Sequence, residues 1–442
     1  MSSPSGEKSG PLSAAGSQAL RRGAKEAPDS GSGVSLRAAD HPRRLLAAVL
    51  ISVFTVMLGV GIIAPLLPMY ARSLGADGIL LGAIFAVFSA SRTVCTPFTG
   101  MLSDRSGRKV FMLFGLIVYC MVSVAYIKAH SLHGLIVVRA LHGVAAALVI
   151  PAANAYVGDL APRDREGFYG ALFLVSFFAG FAMGPALGGF LYDRFGMPGC
   201  FLTLGLFALL SFLLTALFLP NLHVSRAVPE PGRMDPFGPL RSPEVAPLLV
   251  FTLVSALGRS SIMCFLPLLA QEKLGISATL LGAVLTTNLL LAAVLQLPSG
   301  LLADRFDRKA ILLGGTFLSS LMFAVMPSVS GFRGLLFLNI LMGLGMALVF
   351  PSSQAVAVTL GRHLGMGKIL SFLQVATGAG FAAGPIVSGA IYKSMGIDFV
   401  FYSCSAILLT AALYGFLFLK VPRISAARGP SQAGASAIET DR

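Results

Sequence analysis

Tryptophan is absent from this 442-residue chain, cysteine is limited to five residues, and Asp, Glu, Lys and Arg together make up 12% of it. Soluble domains carry about twice that charged fraction, so a chain that is also 55% hydrophobic cannot present an ordinary water-facing surface. Carboxylates are the scarcest charge: there are nineteen, and none falls in the middle of a long apolar run. That excludes a pair of catalytic acids inside such a run. Cys95, Cys120, Cys200, Cys264 and Cys404 lie in or beside apolar runs without the spacing of a metal site. They read as small buried apolar side chains, neither a metal centre nor a disulfide framework. The six histidines are scattered (His41, His130, His133, His142, His223, His363), and there is no GxSxG elbow and no phosphate loop. An enzyme therefore finds no support, and neither metal nor organic cofactor is expected.

What the chain does have is length of apolar sequence. Twelve hydrophobic segments, each near the ~20 residues a bilayer demands, run over about 45–69, 79–100, 110–128, 134–157, 168–192, 198–219, 246–268, 279–301, 310–327, 334–357, 367–391 and 397–420. The first is too long for a secretion signal. Residues 1–40, rich in Ser, Gly and Ala, predict a disordered tail, as do 421–442. A segment at 220–245, with Pro229, Pro231, Pro236, Pro239 and Pro243, predicts a linker between six-span halves at 41–219 and 246–420.

The formal charge of +14 could suggest nucleic acid, but its distribution argues otherwise. With the N-terminus inside, 24 of the 33 Lys and Arg fall on the cytoplasmic side, six on the other and three within spans. This asymmetry predicts both termini cytoplasmic, in a plasma membrane or a bacterial inner membrane, with lipid rather than nucleic acid as partner. Interfacial anchoring would then fall to Tyr70, Tyr126, Tyr156, Tyr169, Tyr192 and Tyr392 near span ends.

The halves repeat at an offset of 200. Gly100-Met-Leu-Ser-Asp104-Arg105-Ser-Gly-Arg108-Lys109 returns as Gly300-Leu-Leu-Ala-Asp304-Arg305-Phe-Asp-Arg308-Lys309, and Gly184-Pro185 returns as Gly384-Pro385. Duplicated six-span halves imply a pseudo-symmetric carrier with its site between them near the midplane.

The charged turn, with Leu135-x-x-x-Arg139-x-x-His142-Gly143, Gly180-x-x-x-Gly184-Pro185-x-x-Gly188-Gly189 and Gly59-x-Gly61-Ile62-Ile63-Ala64-Pro65-x-x-Pro68, resembles the major facilitator superfamily, in particular its twelve-span drug:proton antiporters. The resemblance covers about residues 45–420. It implies an all-α fold of two six-helix bundles, alternating access, and a monomer that exports hydrophobic or amphiphilic small molecules on a proton gradient. It also implies that Asp104, Arg108 and Asp159 form a charge network against span eleven. Arg105, Lys109, Gly100, Asp304, Arg305 and Arg308 join the gating set, with Thr359 in place of the carboxylate in the second copy. Gly180, Gly184, Pro185, Gly188, Gly384 and Pro385 form the expected helix hinges, although a stripe of small residues is also ordinary packing in membrane helices.

Three arginines stand within spans: Arg92, Arg139 and Arg259. Each is costly there, so each should face an aqueous cavity or a partner; snorkelling or a bond to backbone carbonyls is the alternative. Asn154, Asn288, Asn339 and Gln354 complete the expected cavity, with Gln296 and Gln374 nearby; such amides are often only links between helices. The span-one acid of many proton antiporters is missing, with Val56 around its position. His142 is the one mid-span group with an ordinary pKa near neutrality, a candidate proton carrier or else a satisfied hydrogen-bonding group. Because no span carboxylate balances the arginines, a facilitator or exchanger of organic anions without proton coupling is the alternative function.

Overall fold

The computed structural model describes residues 42–162, 165–220 and 242–419, with the side chains of Pro42, Asp104, Arg105, Asp304, Arg362 and His363 excepted. The expected tails at 1–40 and 421–442, and most of the expected linker at 220–245, lie outside the described residues.

The described residues contain helices, turns and no strand. Twelve helices are long enough to span a membrane. The first half holds α1 (Pro42–Ile63, continued by a short helix at Leu67–Ser73), α2 (Gly78–Ser106), α3 (Arg108–Lys128), α4 (Leu132–Leu160), α5 (166–195) and α6 (197–218). The second holds α7 (Val245–Leu268), α8 (Ala278–Arg305), α9 (Arg308–Val325), α10 (Gly331–Leu364), α11 (Met366–Met395) and α12 (Ile397–Phe418). Helix α5 runs into α6 with a single break at Gly196, whose φ of 67° and ψ of −172° suit glycine alone. Side-chain caps begin several others: Asp77 accepts from the Leu80 N–H, Ser131 from Gly134 and Ser277 from Leu280.

Two expectations need correction. The charged stretch from Gly100 to Lys109 is not a ten-residue turn. Helix α2 continues through Ser106, and the chain turns at Gly107 alone, with φ 92°, before α3 begins at Arg108. Its copy turns without a left-handed residue, at Phe306 and at Asp307, whose carboxylate caps the Lys309 N–H. Second, Tyr126 and Tyr156 are fully buried and cannot sit among lipid headgroups. Each hydroxyl turns inward, Tyr126 to His142 and Tyr156 to the Pro220 carbonyl. The expected hinge at Pro185 lies within continuous helix. Gly180, Gly184 and Gly188 lie flat on α1, against Phe54, Gly61 and Ile62. Proline leaves the Phe181 carbonyl without its intrahelical donor, and that oxygen faces Gly61.

The two halves meet along two seams that exchange under the repeat. A Cβ on Gly82 of α2 would strike the Pro385 carbonyl of α11, and one on Gly282 of α8 would strike the Pro185 carbonyl of α5. One step further along, Gly389 lies on the Gly78 carbonyl and Gly189 on the Ala278 carbonyl. One helix face therefore serves two contacts: Gly184 and Gly188 hold α5 to α1, while Pro185 and Gly189 hold it to the other half.

Gly82→Leu is expected to part the α2–α11 seam, because backbone rather than a movable side chain occupies the space. Maleimide labelling of a cysteine at Ala186, beside the companion seam, should rise several-fold in that background; unchanged labelling would show that the seam tolerates the insertion.

Candidate functional site

The seams end in polar links at the face that carries Asp77. Lys393, on the last turn of α11, pairs with the Asp77 carboxylate at 2.8 Å. At the equivalent place on the other seam, the Asp193 carboxylate accepts from the N–H groups of Ala278 (3.3 Å) and Thr279 (2.8 Å) at the start of α8. A carboxylate there satisfies otherwise orphaned amides and opposes the helix dipole. Between the seams, Arg72 pairs with Glu272 at 3.3 Å, and Glu272 also accepts from the Tyr392 hydroxyl. Residues 72 and 272 are repeat equivalents, so this pair sits where the pseudo-twofold brings like positions together. The motif reading missed all of these. The available signal was opposite charge at equivalent positions, Arg72 with Glu272 and Asp193 with Lys393.

At the opposite face, the charged stretches brace each half internally. Arg108 Nη1 meets Asp159 Oδ2 at 2.8 Å, with side chains only 5% and 4% exposed. In the second half Arg308 Nη1 donates to Thr359 Oγ1 at 2.8 Å and to the Ala355 carbonyl. Lys109 Nζ donates to the Ala216 carbonyl at the end of α6, and Lys309 Nζ to Phe416 at the end of α12. Each lysine thus satisfies a terminal carbonyl of a neighbouring helix. Asp104, Arg105 and Asp304, which the gating expectation needs, have side chains outside the described residues. Arg305 ends α8 and is exposed, while Gly100 and Gly300 leave open space where a Cβ would stand.

The expected cavity residues divide. Arg139 is 2% exposed: Nε donates to the Ile84 carbonyl, and the guanidinium lies 4.6 Å from the Phe88 ring centre and 5.2 Å from that of Phe85. It is received by partners, not by an open vestibule. His142 is fully buried among the rings of Phe88, Tyr119 and Tyr126. Asn288 of α8 donates to the Asn339 carbonyl of α10 and so links the two helices, while the buried Asn339 amide donates to the Leu335 carbonyl of its own helix. Arg92, Arg259 and Gln354 are half-buried, and Asn154 and Gln374 are exposed. Arg259 Nε donates to the Ser255 carbonyl of its own helix. Away from the Asp77 face, a cavity of about 300 Å³ opens beside α8 and α10, lined by Gln296, Leu297, Leu301 and Pro351. Phe178 and Phe350 touch across the halves, ring centres 6.3 Å apart. Among the described residues no group of His, Cys, Asp or Glu could hold a metal, and the five cysteines are free.

Two six-helix halves, related by repeat and joined through paired glycine seams, define a membrane transporter and not an enzyme. The family model of the Major Facilitator Superfamily matches residues 49–253 and 248–440, and the chain belongs to that superfamily. It is 27% identical over 402 residues to the multidrug resistance protein MdtG of Salmonella paratyphi A, covering 87% of this chain and 97% of MdtG. An uncharacterised transporter of the same type from Methanocaldococcus jannaschii is 29% identical over 314 residues, 70% of this chain and 80% of its own. Among solved structures, a bacterial homologue of the human lysosomal transporter Spinster, inward-facing and unoccupied, superposes with a TM-score of 0.77 at 14% identity, covering 88% of this chain and 100% of the homologue. The human organic anion transporter MFSD10 gives 0.60 at 21% identity, covering 85% and 99%.

Two outcomes test the braces and the links. Asp159→Asn should cost ~3–5 kcal/mol by leaving the buried Arg108 charge uncompensated, and Thr359→Val much less; similar melting temperatures for the two variants would contradict this. The hydrogen bond from Lys393, then the Leu80 N–H, holds the Asp77 carboxyl below its usual range. Its contribution to closure is therefore full above the ordinary carboxylate pKa and lost as pH falls through the lowered one. Spin labels at Ser73→Cys and Ser394→Cys, in a background without the native cysteines, should move apart on acidification below about pH 4 in the presence of Asp77. The acid-dependent change should shrink in Asp77→Asn, and an identical response in both would contradict the assignment.

Proposed function

We propose that this chain exports small amphiphilic organic molecules by alternating access, with both termini cytoplasmic and the Asp77 face outermost. The observation that carries the reading is the pair of seams: two halves joined by contacts that exchange under the repeat can rock as units, one seam opening as the other does. The excess of Lys and Arg at the Arg108 face supports the orientation. In that orientation the outer face is closed and the cavity beside α8 and α10 lies on the cytoplasmic half. Its lining of Leu297, Leu301 and Pro351 with the single amide of Gln296 suits an apolar body with few polar groups. The name of MdtG, a multidrug resistance protein, points the same way.

A proton gradient is the proposed driving force. His142 is its candidate carrier, taking up a proton only when α2 and α4 part, since here the ring is sealed. The second reading, exchange of organic anions without proton coupling, is favoured by Arg92, Arg139 and Arg259, for which no carboxylate partner is described.

Purified protein in liposomes loaded with an amphiphilic fluorescent dye should extrude it under an imposed pH gradient. Gly282→Leu should abolish extrusion at normal reconstitution. His142→Gln should flatten the dependence on pH; dependence that survives this change would remove His142 from the mechanism, and the absence of any dye movement would end the reading itself.

A further inference from the structure

Inside the hydrocarbon region, polar groups must find partners within the protein. In the second half Asn288 and Asn339 do, while the hydroxyls of Ser255 and Ser352 are buried without a partner. In the first half the groups without a partner gather around His142. Arg139 has no acceptor atom, and it bonds the Ile84 carbonyl through Nε. The Tyr126 hydroxyl lies within hydrogen-bond distance of His142 Nδ1, at 3.0 Å. The other ring nitrogen of His142, Nε2, is buried with no partner. The ring of Tyr119 stands edge-on to His142, with centres 5.2 Å apart, and its hydroxyl is also buried without a partner. Arg92, half-buried and one helical turn from Phe88 on α2, lies within electrostatic range of the Tyr119 hydroxyl. No hydrogen bond and no carboxylate is described for its guanidinium.

A charged guanidinium, a phenol and an unpartnered imidazole nitrogen thus share one region, with no carboxylate described among them. A water molecule would satisfy the phenol and the imidazole and leave the charge of Arg92 unbalanced. We propose that a monovalent anionic group binds between α2, α3 and α4, held by Arg92, Tyr119 and His142. Two sources share this chemistry: the head of an amphiphilic carboxylate, which rests on the transporter reading above, and a free inorganic anion, which does not.

Thermal unfolding of the full-length protein in detergent distinguishes them. Sodium octanoate is compared with octanol and octylamine, and sodium chloride with sodium gluconate at equal ionic strength. The expected result is a saturable rise in melting temperature with octanoate, assigning the amphiphile head, or with chloride, assigning the inorganic ion. Arg92→Gln should remove that rise. Tyr119→Phe should weaken the apparent affinity by about three- to tenfold. Its unliganded melting temperature should stay at the wild-type value, because the deleted hydroxyl has no partner to lose. Equal shifts with octanol or octylamine, shifts that survive Arg92→Gln, or no shift with any anion would overturn the site. None of those results bears on dye extrusion, so the broader transporter reading is judged separately.

Discussion

Backbone lying on backbone is the constraint from which the rest of this fold follows. In a bilayer, lipid tails are as apolar as leucine, and helices associate through close packing and polar links more than through the hydrophobic effect. At Gly82 on Pro385, and at Gly282 on Pro185, a carbonyl occupies the space where a Cβ would stand. No larger residue fits without moving a helix. Because each pair is the repeat image of the other, each half contributes one glycine and one proline. The ion pairs and the Asp193 cap at the ends of the seams add direction to this contact, and being exposed they are the part that pH and salt can reach.

The halves share a frame but not a chemistry. Asp159 corresponds to Thr359, Arg139 to Asn339, His142 to Met342 and Arg92 to Ala292. At these four positions the first half carries ionisable side chains and the second neutral ones. Arg108 with Asp159 and Arg308 with Thr359 show the same brace made with an ion pair and with a neutral hydroxyl. The asymmetry has one exception in the spans, Arg259 of the second half, where the first half has Gly59.

Much of the fold was legible in the sequence because a bilayer permits so few solutions. Twelve apolar runs give twelve helices, and the constant offset of 200 foretells which helices pair. The site was harder to read. A spacing of three residues on α4 placed Arg139 and His142 on one face, yet it could not reveal that Phe85, Phe88 and Tyr126 close over them from α2 and α3. Likewise Asn288 and Asn339 look like cavity residues until the carbonyl that each one reaches is known. The charged stretch at Gly100–Lys109 reads as a loop by polarity, whereas one glycine makes the turn and the charges ride on helix ends. The links at Arg72, Asp77, Asp193, Glu272 and Lys393 lie at helix ends that no motif covers. Only the repeat, applied to the signs of their charges, marks them.

The account turns on whether the closed Asp77 face must open for transport. Asp77→Cys with Lys393→Cys, bridged by a short bifunctional thiol reagent in a background lacking the native cysteines, fixes that seam without altering its glycines. Dye extrusion from proteoliposomes should stop on bridging and return in full with a cleavable reagent once it is reduced. Extrusion that continues at the unbridged rate with the bridge in place would contradict the account.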